Sequence, residues 1–345
     1  MTSEAIYNVV QFGAQPAHGT PVDATYLMPV DAGSVAELDR ATTSPTEDYG
    51  DGERHHTSRG YHGVRAAGSS ITAEVRFQDF MHFLEMHASG GVIPSVVGDH
   101  FGWEYLWDSG EDTLTRYTVE MGTDATQDQW QLSDCLIDQL DIGYDALTVP
   151  GASPWKATAT FLAKDRLANA LTAGLEPPDN LDTWLGHFTT LHAGPVTEAF
   201  ADLDELPAHL ASFHMRSSLG LARRKYGAPA GDTFDLYGRS AQGEVTFDAM
   251  VRISSASKPL IEDVFNVAGS DVVEQRWRLP TAGTGDNASL IDARVRFNAN
   301  PIGDRDGEHV YAVTGYFVKD PTLASRARLF IENNVESLPT GGSGS

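Results

Sequence analysis

The chain has 345 residues, 41% of them apolar, enough for one large core or two ordinary ones. It carries 48 Asp and Glu against 24 Lys and Arg, and no apolar run approaches the ~18 residues of a membrane span, so neither a transmembrane helix nor a grip on nucleic acid is expected. Its single cysteine, Cys135, excludes a disulfide within the chain and a cysteine-built zinc site.

Met1 to Val10 holds Glu4 and no Lys or Arg, unlike the basic start of a secretory signal, and folding in a reducing cytoplasm is expected. The charge is uneven: residues 1–205 hold 32 acids and 9 bases, a net −23, whereas residues 206–345 hold 16 and 15, a net −1.

Residues 36–70 are polar and Gly-rich without apolar periodicity, and read as a long exposed loop. A strand is expected over 71–77, leading into a helix over 78–87 with Phe80, Phe83, Leu84 and His87 on one face. Strands follow over 113–121, 130–142 and 155–163, the last alternating as Trp155-Lys-Ala-Thr-Ala-Thr-Phe-Leu162. Asp202 to Ser212 reads as a helix broken at Pro207.

In the second half, a strand over 244–253 precedes a helix over 257–266. Ser257 is its expected cap, Pro259 lies in its first turn, and Leu260, Ile261, Val264 and Phe265 form its apolar face. Strands over 272–279, 289–299 and 308–318 follow, with Asp304-Arg-Asp-Gly307 as a hairpin turn. Residues 339–345 are Gly- and Ser-rich and read as a disordered tail. The order strand, helix, strand, strand, strand occurs twice, which implies a duplicated domain: 1–205 and 206–338. The fold class is therefore mainly β, two sandwich or barrel domains, each with one packed helix.

Four segments, in order, resemble the tail tube (major tail) proteins of long-tailed phages. Gly19-Thr-Pro-Val-Asp-Ala-Thr25 resembles their N-terminal segment. Thr115-Arg-Tyr-Thr-Val-Glu-Met-Gly122, Gln131-Leu-Ser-Asp-Cys-Leu-Ile-Asp138 and Ala157-Thr-Ala-Thr-Phe-Leu-Ala-Lys164 resemble three of their strands. The resemblance covers residues 5–200, and the second half matches only in its strand–helix–strand pattern. It implies a virion structural protein, not an enzyme, that works without cofactors and is assembled in the host cytoplasm. Its subunits would join sheets into rings of three or six, and the rings would stack into a tail tube through which DNA passes without tight binding. Other tail proteins and the tape measure protein would be partners, and no membrane is involved. Other readings are a distal tail or head–tail connector ring, or a carbohydrate-binding sandwich or hydrolase built on Asp99, His100, Trp103 and Trp107.

On the tube reading, acid lining the lumen keeps phosphate from settling. The strand-borne acids Glu120, Asp134 and Asp138 are the candidates, with Asp134 and Asp138 placed on one strand face. The compact basic cluster Arg223, Arg224 and Lys225 is the candidate contact with an acidic neighbouring ring. His55, His56 and His62 form no known metal spacing, and Asp304-Arg-Asp-Gly307 lacks the remaining ligands of a calcium loop.

Overall fold

The computed structural model describes residues 8–31, 36–37, 67–91, 95–107, 114–123, 129–145, 153–179, 181–206, 210–224, 236–239, 243–259, 274–299, 302–305 and 307–338. Threonines and β-branched residues alternating with small or aromatic ones make most of these segments strands: residues 157, 159, 161 and 163 are buried while 158, 160 and 162 are partly exposed.

The chain lays down β1 (Asn8–Ala14), β2 (Tyr26–Met28), β3 (Ala36–Glu37), β4 (Ala67–Glu74) and helix α1 (Met81–His87). Then come β5 (Ser89–Gly90), β6 (Ser95–Val97), β7 (His100–Trp107), β8 (Tyr117–Thr123), β9 (Gln129–Asp145), β10 (Lys156–Ala163) and β11 (Asp165–Ala168). A second succession holds β12 (Leu191–Pro195), β13 (Asp204–Leu206), β14 (Leu210–Ser218), β15 (Leu221–Arg224), β16 (Leu236–Arg239) and β17 (Glu244–Arg252). It continues with β18 (Glu274–Ala282), β19 (Ala288–Ala299), β20 (Ile302–Arg305), β21 (Glu308–Val318) and β22 (Ala327–Asn333).

The two successions pair in one order. The first runs β2-β1-β8-β9-β10-β4-β3 across its ladders. The second runs β13-β12-β18-β19-β21-β17-β14. Taken by position in the chain, each strand of the first has a counterpart with the same neighbours in the second. β11 returns onto β9 as β22 returns onto β19. Even the irregularities agree: the β9–β10 ladder skips Asp138, and the β19–β21 ladder skips Asn298.

The successions are hydrogen-bonded to each other. Gln139–Asp145 of β9 pairs with Ser212–Ser218 of β14, and β7 pairs with β22, so ladders cross the 205/206 position. The strand pattern of the second succession begins with β12, before residue 205.

All seven residues of α1 are buried, and no side chain caps its N-terminus, so burial rather than capping sustains this short helix. Phe83 packs edge-on to Phe12 and Phe161. Phe247, Trp277 and Phe297 form the matching aromatic cluster of the second succession.

Three expectations need correction. The helix over 202–212 is absent: a single 3₁₀ turn, Phe200–Asp202, is followed by β13 and the start of β14. Leu203, Leu206 and Leu210 have helical spacing, yet they are buried from separate segments. The loop over 36–70 begins and ends as paired strand, Ala36↔Ser70 and Glu37↔Ser69, and its remainder, 38–66, lies outside the described residues. The second helix begins at Ser257, but Ser254 is its cap: Ser254 Oγ accepts from the Ala256 and Ser257 amides at 3.1 Å, while Ser257 Oγ accepts from the Ser254 amide at 2.9 Å. Leu260 to Phe265 and the tail 339–345 lie outside the described residues.

Candidate functional site

The β9–β14 joint fuses strands of both successions into one open face. A single register row crosses it: Thr72, Thr158, Asp141, Arg216, Thr246, Tyr316, Arg296 and Glu274, contributed by β4, β10, β9, β14, β17, β21, β19 and β18. Eight strands at about 4.8 Å span roughly 34 Å. The reverse side of the same strands carries Ile71, Ala157, Ile142, Met215, Phe247 and Val313, all buried. One side is therefore core, and the other is a polar wall.

Hydroxyls and paired charges make up this wall. Thr72 Oγ1 and Thr158 Oγ1 share a hydrogen bond of 3.0 Å. Arg216 donates from Nε to Asp141 at 2.8 Å, and its other arm lies 3.4 Å from Asp248. The hydrogen bond that Arg216 donates to Asp141 is the main cause that raises the Arg216 pKa. Further along, Arg294 and Arg296 both donate to Glu274, and Arg296 also reaches the Tyr316 hydroxyl at 3.2 Å. Partial burial by itself would raise the Glu274 pKa, but the bonds from Arg296 and Arg294 outweigh it and hold the carboxyl below its ordinary value. The centre of the wall dips into an open depression of about 340 Å³, lined by Gln139, Asp141, Thr160, Arg216, Glu244 and Thr246.

Of the three acids expected on a lumen wall, Glu120 and Asp134 are buried. Glu120 is 1% exposed, where Oε2 accepts from the Thr172 amide at 2.7 Å and Oε1 from its hydroxyl at 3.1 Å. Asp134 is 0% exposed and accepts from the Gly19 amide at 2.8 Å. Its φ of 51° marks a break in the strand, so Asp134 and Asp138 do not share a face. Asp138 is half-buried and accepts from the Leu221 amide at 2.7 Å. These three carboxylates therefore hold backbone amides at 172, 19 and 221, and burial keeps Glu120 and Asp134 from facing solvent.

Arg223 and Arg224 lie on β15, which pairs with β16 as a separate two-stranded ribbon between β14 and β17. Lys225, His55, His56 and His62 lie outside the described residues. The Trp103 and Trp107 rings are 2% and 1% exposed and belong to the core rather than to a sugar platform. His100 lies 3.4 Å from the exposed carboxylate of Asp286. No family model matches the chain, and a search of curated proteins finds no match.

A buried polar set in and beside α1 escaped the sequence reading. Burial lowers the His82 pKa to about 3 and the His87 pKa to about 4, the latter despite a hydrogen bond with the Ile137 carbonyl. Burial raises the Asp79 pKa to about 7 against the pull of Arg76. Polar letters at 79, 82 and 85 suggest a solvated helix side, and packing against the sheet buries them, with Tyr105 of β7 donating to Glu85 and Tyr117 of β8 meeting His82. His87, expected on the apolar face, is buried against β9.

Proposed function

We propose that this chain is a virion structural protein, the subunit of a tail tube whose stacked rings conduct DNA, and not an enzyme. The observation that carries this reading is the eight-strand polar wall backed by apolar core. A sheet of that width with one wet face suits a channel lining, provided its ends are joined to other sheets. The four phage-like segments support it further. Gly19-Thr-Pro-Val-Asp-Ala-Thr25 braces β1, with the Gly19 amide on Asp134 and the Thr25 amide on the Phe12 carbonyl.

The wall suits passage in a way other than the bare acid expected from composition. Its guanidinium groups at 216, 294 and 296 are held by carboxylates, so a passing phosphate competes for each one against a bound partner. The Thr246 hydroxyl lies between Arg216 and Arg296 in the row, and those of Thr72 and Thr158 continue it beyond Asp141. The two successions are proposed as duplicated copies of one unit, which makes each chain two steps around a ring. The segments that follow β3 and β14 have the same position in the order of strands, and both are proposed to reach the neighbouring ring, with Arg223, Arg224 and Lys225 on the second. Tape measure and other tail proteins are the proposed partners.

Electron microscopy of the purified protein tests the reading. Hollow tubes support it, isolated rings favour a distal tail or connector component, and dispersed monomers at high concentration count against both.

A further inference from the structure

The joint between β9 and β14 is made inside one chain, and half of an identical joint stands open at each end of the sheet. In the repeat, β14 is the counterpart of β3, and residues 139–145 of β9 are the counterparts of 299–305. The offset follows from the skipped residues Asp138 and Asn298, and it places Ile142 with Ile302 and Gly143 with Gly303. The ladders agree: Ile142 and Gly143 face Ala157 and Lys156, as Ile302 and Gly303 face Tyr311 and Val310.

The counterparts differ in one respect. Ile142 is 0% exposed and pairs with Met215 of β14, whereas Ile302 is 64% exposed. A side chain at Gly143 would stand 2.4 Å from the Phe213 carbonyl and 2.5 Å from His214, both on β14. At Gly303 the nearest atoms would be 3.7 Å and 4.0 Å away, both on Val310. Gly143 is small because a strand lies against it. Gly303 occupies the equivalent place with no strand against it on that side among the described residues. Among the described residues, β20 pairs only with β21, and β3 pairs only with β4.

We infer that β3 of a second copy of this chain docks on the β20 edge, antiparallel, in the register that β14 adopts on β9. His214 faces Gly143 and Asp248, and Asp248 corresponds to Ser70, which faces Ala36; Ala36 therefore takes the place of His214. By the same steps Glu37 takes the place of Met215. The expected partners are Ala36 with Gly303 and Glu37 with Ile302 of the adjoining copy. The contact is head-to-tail, so it propagates from copy to copy and closes as a ring, and it removes two exposed edges per chain. This deepens the tube reading and rests on it for the biological setting, not for the joint.

Paired cysteines read the register directly. Ala36→Cys with Gly303→Cys, and Glu37→Cys with Ile302→Cys, should each give a reducible ladder of dimers and higher species on air oxidation with copper–phenanthroline. One of the two pairs occupies the closer, non-hydrogen-bonded position and should link more efficiently. Each single variant should stop at dimers, and Glu37→Cys with His309→Cys, out of register, should give no ladder. Absence of a ladder in both pairs, with circular dichroism showing folded protein, overturns the joint, as does an equal ladder in the out-of-register control. Ile302→Asp supplies a check without cysteine: a folded variant that assembles like the parent also overturns it. Tubes without ladders would retain the tube reading and discard this joint, and ladders without tubes would do the reverse.

Discussion

Arg216 on β14 and Asp141 on β9 meet at 2.8 Å across the strand pair that joins the two halves of the chain. The same guanidinium lies 3.4 Å from Asp248, so two carboxylates share one cation at the centre of the polar wall. Their side chains are 61%, 39% and 41% exposed, and such pairs contribute about 0.2–1 kcal/mol to stability. Their larger effect is on what the wall attracts. Asp141→Asn with Asp248→Asn should leave the fold intact and release Arg216 toward phosphate. Fluorescence anisotropy with a labelled DNA duplex should show binding by the double variant that weakens from 20 to 200 mM salt, and little by the parent. Equal binding by both proteins would remove charge pairing from the proposal that the wall lets DNA pass without holding it.

Phe83 is the anchor of α1, fully buried between Phe12, Phe80 and Phe161. Phe83→Ala should cost about 3–5 kcal/mol by denaturant titration, because the Phe12 and Phe161 rings are fixed on different strands and cannot close the gap. A loss below about 1 kcal/mol would mean the helix contributes little to this core.

Much of this architecture is legible in the residues. The alternation of 156–163 and 244–252 gives strands with the correct inward face, and Gly307, at φ +82°, closes the hairpin expected between 304 and 308. The order strand, helix, strand, strand, strand can be read twice along the chain before any ladder is known. What alternation cannot show is a strand that breaks its own rule. β9 looks like one strand with acids on its outer side, but the kink at Asp134 and the skipped Asp138 turn those acids toward loops from residues 19 and 221. Glu120 likewise meets Thr172, 52 residues away, a partner no local pattern announces. The wall itself is written in Thr158, Thr160 and Thr246, whose uncharged hydroxyls are common on any strand and mark no face as carboxylates do.

The buried histidines make stability depend on pH. Unfolded, both imidazoles titrate near 6.5. In the fold, burial holds His82 at about 3 and His87 at about 4. Between these values the unfolded chain binds protons that the native chain does not, so their contribution is complete above about pH 6.5 and is lost as the pH falls toward 4. Asp79, raised to about 7 by burial, works the other way: its contribution is complete below about pH 4 and is lost as the pH rises toward 7. His82→Gln with His87→Gln should therefore lose less stability than the parent between pH 6.5 and 4.5 in urea titrations. Equal losses would show that other groups govern the acid limb.

Asp134 offers a contrast between backbone and charge. Asn tolerates its left-handed φ of 51° and can still accept from the Gly19 amide, whereas Ala can do neither well. Asp134→Ala should cost about 1–3 kcal/mol, and Asp134→Asn clearly less, by thermal or urea unfolding. The reverse order would place the importance in the charge.

The direct measurement of the central claim is a cryo-electron-microscopy reconstruction of the assembled particle. The account predicts a hollow tube whose inner wall carries Thr72, Thr158, Asp141, Arg216 and Thr246, with Glu120 and Asp134 enclosed within each subunit. A tube with this face turned outward, or a particle without a continuous channel, would contradict it.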